Sequence, residues 1–118
     1  MKAAIDHFTG GMAARLGQLE LQLSPLVENG NAVPVTLRMA SPMTALSHVR
    51  RMALFTQRNP QPEVAVFHLS PASGVAQVST RMRLATSQTV VALAELNDGS
   101  CWQHSIDVLV TLAACIEN

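Results

Sequence analysis

Cys115 has the clearest potential for covalent chemistry in this chain, because it is a thiol placed fourth from the C-terminus. The thiolate is the reactive form of cysteine, and a neighbouring cation or base favours it. The last dozen residues contain no His, Lys or Arg, whereas Glu117 and the terminal carboxylate of Asn118 add negative charge, which disfavours a thiolate. Cys115 is therefore predicted to be an attachment point on which other proteins act.

A short C-terminal tail, residues 113–118, carries this thiol and follows a long predicted strand. The residues around Cys115 are Ala113, Ala114, Ile116, Glu117 and Asn118. Six residues extend to roughly 20 Å at about 3.3 Å per residue, so a thiol on such an arm can travel. The alternative interpretation is that a lone cysteine near a terminus has no function.

The second cysteine, Cys101, is predicted to be a small strand residue without a chemical role. Two cysteines do not make a disulfide framework. If both lie on one strand and its tail, the residues between them span about 46 Å when extended, whereas the Cα atoms of a disulfide lie about 5.5 Å apart. A reversible Cys115–Cys115 bridge between two molecules is favoured over an internal bridge.

The remaining polar side chains give no catalytic or metal-binding pattern, so neither a metal site nor a cofactor is predicted. Four histidines lie on four different predicted elements without the spacing of ligands: His7, His48, His68 and His104. Four arginines are interpreted as solvated strand faces, with attraction of anionic adducts or of an acidic partner as the alternative: Arg50, Arg51, Arg81 and Arg83. Trp102 is predicted to anchor the core.

Composition limits the classes of function. The chain has 118 residues, zero formal net charge, 48% apolar residues and only 14% charged residues. One domain with one core is expected, with no nucleic-acid binding and no membrane span. The N-terminal residues lack the apolar run of a secretory signal, which leaves two alternatives: a cytoplasmic protein, or one whose export signal has been removed.

A period of two dominates from Gly17 onward and predicts an all-β fold. Seven short strands separated by polar turns are typical of an immunoglobulin-like antiparallel β-sandwich over residues 17–112. The strands are expected near residues 19–23, 33–39, 49–57, 63–69, 76–84, 88–96 and 101–112. Residues 1–16 differ, because Ile5, Phe8, Met12 and Leu16 recur at helical spacing and are interrupted by Gly10-Gly11. They predict a short N-terminal helix.

Two strands allow finer expectations. The segment from Gln88 to Leu96 is apolar on both faces, so it is either central or covered by another subunit. In the last strand the even positions carry core residues, namely Trp102, Ile106, Val108, Val110 and Leu112, so odd positions such as Cys101 are expected to point away from the core.

Several segments, in this order along the chain, resemble the SoxY family, the substrate-carrying subunits of the sulfur-oxidising Sox system. The segments are Val33-Pro34-Val35-Thr36, Ser41-Pro42-Met43-Thr44, Arg58-Asn59-Pro60-Gln61-Pro62, Phe67-His68, Ser79-Thr80-Arg81-Met82-Arg83-Leu84-Ala85, Gln88-Thr89-Val90-Val91-Ala92, Asp98-Gly99-Ser100 and Val110-Thr111-Leu112 before a near-terminal cysteine. The resemblance covers roughly residues 17–115.

The resemblance implies a periplasmic immunoglobulin-like domain that pairs with a SoxZ-like sandwich and is itself not an enzyme. Cys115 would carry thiosulfate-derived sulfur as a covalent adduct. A haem enzyme of the SoxAX type would join thiosulfate to the Cys115 sulfur, a hydrolase of the SoxB type would release sulfate, and SoxCD would oxidise the remaining sulfane.

The arm differs from the Gly-Gly-Cys-Gly-Gly arm that is usual in the family. Ala113 and Ala114 keep the backbone slim but stiffen it, and β-branched Ile116 adds bulk beyond the sulfur. The alternative function is therefore a structural or interaction subunit that no longer loads substrate. A self-sufficient cysteine enzyme is disfavoured, because no His/Asn pair shares a plausible site with Cys115.

Overall fold

The computed structural model describes residues 1–111, which form one short helix and two β-sheets. The helix and strands in chain order are α1 (Lys2–Thr9), β1 (Ala14–Leu16), β2 (Leu19–Gln22), β3 (Leu26–Val27), β4 (Val33–Met39), β5 (Val49–Thr56), β6 (Glu63–His68), β7 (Ala76–Met82), β8 (Gln88–Leu96) and β9 (Cys101–Val110). A single 3₁₀ turn, Pro71–Ser73, connects β6 and β7. The all-β prediction with a short N-terminal helix is confirmed.

The larger sheet has the strand order β1-β9-β8-β5-β6, and β3 also pairs with β9. The smaller sheet has the order β2-β4-β7. The pairs between β4 and β7, β5 and β8, and β8 and β9 are antiparallel. Both β1 and β3 pair with β9 in parallel, along the edge that β8 leaves open.

The predicted number of strands is wrong, because nine strands occur within residues 1–111 instead of seven. The two additional strands, β1 and β3, contain three and two residues. Such short segments carry no readable alternation, and each obtains its partner from a distant part of the chain. Their parallel pairing also departs from the purely antiparallel arrangement that was expected.

The main core lies between the two sheets and explains the alternation in the sequence. In β4, Val33, Val35, Leu37 and Met39 are buried, while Pro34 and Arg38 face outward. Pro34 lies outside the part of β4 that pairs with β2, so it has a partner only in β7 and its missing N–H affects one side of the ladder. Burial of each aliphatic side chain stabilises the folded state by about 1.5–3 kcal/mol relative to leaving it exposed. This alternation therefore fixes which face of each strand points inward.

Helix α1 covers the opposite face of the larger sheet. It ends at Thr9 and is capped by Gly10, whose φ of 65° is left-handed and suits glycine. An eight-residue helix is marginal alone, but Phe8 packs against Phe55 with ring centroids 5.9 Å apart. Phe8, Ala53, Phe55, Val91 and Leu93 form this second core.

This second core decides between the alternatives for the apolar strand β8. The strand is central, and the apolar face that looked available to another subunit is covered by α1 of the same chain. The helical periodicity does not continue to Leu16, because Ala14–Leu16 is strand β1 and Leu16 is exposed. Within the described residues no helix has the length and apolar character needed to cross a membrane.

Candidate functional site

The last described residues are held to the sandwich by strand β3 and the residues beside it. The backbone N–H of Thr111 donates to the Val27 carbonyl at 3.0 Å, and the N–H of Leu109 donates to the Pro25 carbonyl at 2.8 Å. The Thr111 hydroxyl also donates to the carbonyls of Val27 and Glu28 at 3.5 and 3.3 Å. We call this point, where Thr111 leaves β9, the arm root.

Ser24 explains why so short a strand as β3 forms. Its hydroxyl donates to the Leu26 carbonyl at 2.6 Å and accepts from the Leu26 N–H at 3.3 Å. A serine hydroxyl that bonds its local backbone stabilises a turn in this way. The turn presents the carbonyls that the arm root requires.

Ser87 holds the arm root from the other side. Its hydroxyl accepts from the Val110 N–H at 2.8 Å and donates to the Val110 carbonyl at 3.4 Å. One side chain thereby satisfies both backbone groups of Val110. The end of β9 is consequently fixed between β3 and the loop that precedes β8.

That loop is in turn positioned by Asn59 and Gln88. Asn59 Nδ2 donates to the Arg83 carbonyl at 2.7 Å, and Asn59 Oδ1 accepts from the Ala85 N–H at 2.9 Å. The Gln88 amide is buried and donates to Asn59 Oδ1 at 2.9 Å, while its oxygen accepts from the Arg58 N–H at 2.8 Å. Buried polar groups satisfied in this way specify one loop conformation.

Cys115 and its flanking residues Ala113, Ala114, Ile116, Glu117 and Asn118 lie outside the described residues. Their attachment is nevertheless constrained by covalent geometry. Cys115 follows Thr111 by four residues, so its Cα can lie at most about 14 Å from that of Thr111. The arm root therefore limits the volume that the thiol can occupy.

The surface beside the arm root is partly apolar. A groove of about 500 Å³ is lined by residues that include Leu23, Leu26, Val27, Val33 and Pro34. Leu26 and its β9 neighbour Leu109 are 53% and 57% exposed. Thr111 thus lies next to a surface suited to apolar contact.

Cys101 lies at the opposite end of β9 and is 1% exposed. It points away from the core between the sheets, as predicted, and it is buried on the other face of the larger sheet. It pairs with Glu95, on the side of the sheet that α1 covers. Burial, and then the nearby Glu95 carboxylate, raise the pKa of the Cys101 thiol above its ordinary value of 9.0. This thiol is held in its unreactive, protonated form.

The prediction of solvated arginines is wrong for Arg51. Its Nε lies 2.8 Å from Oε1 of Glu95, and its Nη2 lies 3.0 Å from Oε2. Arg50 also reaches Glu95 at 3.0 Å but is half exposed. Arg81 and Arg83 are exposed, as expected. The Arg51–Glu95 pair stabilises the fold far along the sheet from the arm root.

The histidines occupy separate places, and residues 1–111 contain no group of three or more His, Cys, Asp or Glu side chains that could hold a metal ion. His104 Nδ1 accepts from the Leu21 N–H at 2.8 Å and thereby joins the two sheets. His48 Nδ1 lies 2.9 Å from the Thr44 carbonyl. Trp102 is half-buried at the rim of the main core, with Arg15 over its ring at 5.8 Å.

Sequence reasoning singled out Cys115, which stays a prediction, and did not identify the residues that hold the arm root. Ser24, Ser87 and Thr111 are ordinary polar residues in turns or at a strand end, with nothing in their spacing to distinguish them. Asn59 carried a signal, because it sits between Arg58 and Pro60 in a motif that could not continue a strand. The contacts of Asn59 with the loop that precedes β8 are visible only in the folded structure.

The described residues define a small two-sheet β-sandwich with one helix-covered face. Solved structures with this fold include superoxide reductases. One from Ignicoccus hospitalis (neelaredoxin) matches with a TM-score of 0.70 and 15% identity over 80% of this chain and 80% of that chain. Another, from Nanoarchaeum equitans, matches with a TM-score of 0.68 and 8% identity over 81% and 100% of the two chains. At these identities the likeness concerns the fold alone.

A family model described as "Sulfur oxidation protein SoxY" matches residues 5–115, nearly the whole chain. The chain therefore belongs to the SoxY family, and its role lies in sulfur oxidation by the Sox system. A comparison with curated proteins gives no match. The match ends at residue 115, the position of the near-terminal cysteine.

Proposed function

We propose that this protein is a covalent sulfur carrier, which holds sulfur intermediates on Cys115 and presents them to partner enzymes. The observation that carries the proposal is the position of the thiol four residues beyond the arm root at Thr111. A fixed root and a short arm suit delivery of a group into partners. The last dozen residues of the sequence contain no His, Lys or Arg, which suits a thiol on which those partners perform the chemistry.

The proposed loading step is oxidative. The Cys115 thiol and thiosulfate form a new S–S bond, giving an S-thiosulfonate (Cys–S–S–SO₃⁻), and release one proton and two electrons. The electrons pass to a haem enzyme of the SoxAX type, which supplies the oxidant. Hydrolysis by an enzyme of the SoxB type then breaks the bond between the outer sulfane sulfur and the sulfonate sulfur. Water supplies the fourth oxygen of the released sulfate, its two protons are released or taken up by the products, and a persulfide remains on Cys115.

Membership of the family supports the proposed setting. The chain pairs with a SoxZ-like subunit in the periplasm, and an enzyme of the SoxCD type oxidises the persulfide sulfur. Because Ala113 and Ala114 replace flexible glycines and Ile116 adds a branched side chain, the partner channels are expected to be wider beyond the sulfur than those serving a glycine arm.

Intact-mass measurement tests the carrier function directly. Purified protein is incubated with thiosulfate, a SoxAX-type enzyme and an oxidised electron acceptor. The expected result is one added thiosulfate group on wild type and on Cys101→Ser, and none on Cys115→Ser. If wild type gains no mass while a glycine-armed relative is loaded in parallel, the carrier function fails.

The alternative, a non-loading interaction subunit, is favoured only by the altered arm. A complementation experiment separates the two functions: thiosulfate oxidation by the host should be lost with Cys115→Ser. Retention of full oxidation with that variant would favour the interaction subunit.

A further inference from the structure

We propose that Ser87 and Thr111 are positioning residues, which fix the arm root and thereby set how far Cys115 can travel. This inference rests on the carrier function proposed above and assigns a role to residues that do not touch the sulfur. The clamp consists of the Ser87 hydroxyl, the Thr111 hydroxyl and N–H, and the carbonyls of Val27 and Glu28.

The clamp joins parts of the chain that are distant in sequence. Ser87 is 23 residues from its partner Val110, and Thr111 is 84 residues from Val27. Four hydrogen-bonding groups of the last two described residues are thereby satisfied: both backbone groups of Val110, and the N–H and hydroxyl of Thr111. Fraying of the strand end would break these bonds, so they oppose it together.

The Asn59–Gln88 network supports this clamp from behind. Gln88 directly follows Ser87, and its amide is held by Asn59 and by the Thr86 carbonyl. Pro60 and Pro62 follow Asn59 in the same connection and restrict its backbone. The network therefore orders the backbone on both sides of Ser87.

The position of the root converts directly into reach. With the root at Thr111, the Cα of Cys115 reaches about 14 Å from that of Thr111; if the strand frayed back to Val108, three more residues would add about 10 Å. A reacting group misplaced by about 1 Å can lose about a hundredfold in rate. A fixed arm root therefore favours the rate of a carrier whose partners act at a fixed distance from the sandwich.

The first experiment measures reach in the protein alone. Nitroxide labels are placed on Cys115 and on Ser105→Cys, an exposed position of β9, in a Cys101→Ser background. Pulsed electron spin resonance then gives the distance distribution between the labels. The double substitution Ser87→Ala/Thr111→Ala should broaden it and extend its upper limit by up to about 10 Å. An unchanged distribution would overturn the proposal.

The second experiment uses loading and a shortened arm. Deletion of Ala113 should slow loading at least about tenfold, and Ser87→Ala/Thr111→Ala should restore most of the rate by releasing residues from the root. The matched control is Thr36→Ala/Ser79→Ala, which removes a hydroxyl pair 2.8 Å apart on the smaller sheet and should restore nothing. A deletion that is equally slow with and without the clamp substitutions counts against the proposal.

The two experiments separate this inference from the carrier function. If wild type is not loaded at all, the carrier function fails, and the distance distribution alone decides the clamp. Hydrogen exchange checks that the variants act locally: protection should fall at the Val110 amide and remain at β5 and β8. Rapid exchange of the Val110 and Thr111 amides in wild type would mean that no clamp exists.

Discussion

Arg51 and Glu95 are directly opposite each other on β5 and β8, and the Arg51 guanidinium donates a hydrogen bond to each carboxylate oxygen of Glu95. The same guanidinium donates to the Phe8 carbonyl at 2.9 Å and lies 4.2 Å from the centroid of the Phe8 ring. One arginine therefore joins two central strands to the end of α1. The bonds from Arg51 lower the pKa of Glu95 below its ordinary value of 4.5, although burial opposes this.

The Arg51–Glu95 pair predicts a loss of stability in acid. Because the pKa of Glu95 is lower in the folded state, the unfolded chain takes up its proton at higher pH. The contribution is fully present above about pH 4.5 and is lost as pH falls through the lowered pKa. Glu95→Gln should reduce the free energy of unfolding by about 2 kcal/mol at pH 7, less than a fully buried pair because Arg51 is partly exposed.

Urea unfolding between pH 7 and pH 3 measures this effect. Glu95→Gln should show a flatter dependence on pH than wild type in the acid range. Glu20→Gln, on an exposed position of β2, is the control and should behave like wild type. Equal acid sensitivity of wild type and Glu95→Gln would contradict the assignment.

Phe8→Ala should detach α1 from the larger sheet. Phe8 is 4% exposed and meets Phe55 edge to face, so truncation is expected to cost about 3–5 kcal/mol. The uncovered face of β5 and β8 should then bind a hydrophobic dye and promote self-association. Thermal unfolding and light scattering check this, with the exposed neighbour His7→Ala as the control. A variant of wild-type stability would mean that the helix does not cover the sheet.

Asn59→Ala should loosen the loop in front of β8. The change removes three hydrogen bonds and leaves the buried Gln88 amide one partner short, which is expected to cost about 2–3 kcal/mol. Hydrogen exchange at the Ala85 amide should accelerate most. Gln57→Ala, at an exposed position on the same connection, should change neither quantity, and unaltered exchange at Ala85 in Asn59→Ala would refute the assignment.

Cys101 should be inert in the folded protein. Its burial and raised pKa predict that Cys115→Ser shows no rapid reaction with a thiol reagent, but one reactive thiol per chain after denaturation in guanidinium. Chromogenic thiol titration measures both states. Prompt labelling of the native variant would show that this thiol is accessible.

Sequence alone predicted the strands whose two faces differ. Leu19 and Leu21 in β2, and Val33, Val35 and Leu37 in β4, are buried and alternate with exposed residues. The sequence of a strand with one buried face specifies the register of that strand, because a one-residue shift would expose all of its apolar side chains. The same reasoning identified β8 as apolar on both faces. It could not predict what covers the second face, because the covering helix α1 is far from β8 along the chain.

The errors have related physical causes. β1 and β3 are too short to show a period, so their existence depends on β9 and on Ser24. The phase of β9 predicted that Cys101 points away from the core between the sheets, but it could not predict the burial of Cys101, because the cover on that face comes from the N-terminal segment. Arg51 was expected in solvent because its partners, Glu95 and the Phe8 carbonyl, are separated from it by more than forty residues. Tertiary contacts decide these positions.

The parallel pairing of β1 and β3 with β9 has a consequence for folding kinetics. Gln103 and Ala14, which are 89 residues apart, meet along this edge. The chain must therefore close very large loops before β1 and β3 can pair with β9. Domains dominated by such non-local pairs fold in milliseconds to seconds. We expect β4, β5, β7 and β8 to associate first and the β9 edge to close last, so the end of the chain that bears the thiol is secured only when folding is almost complete.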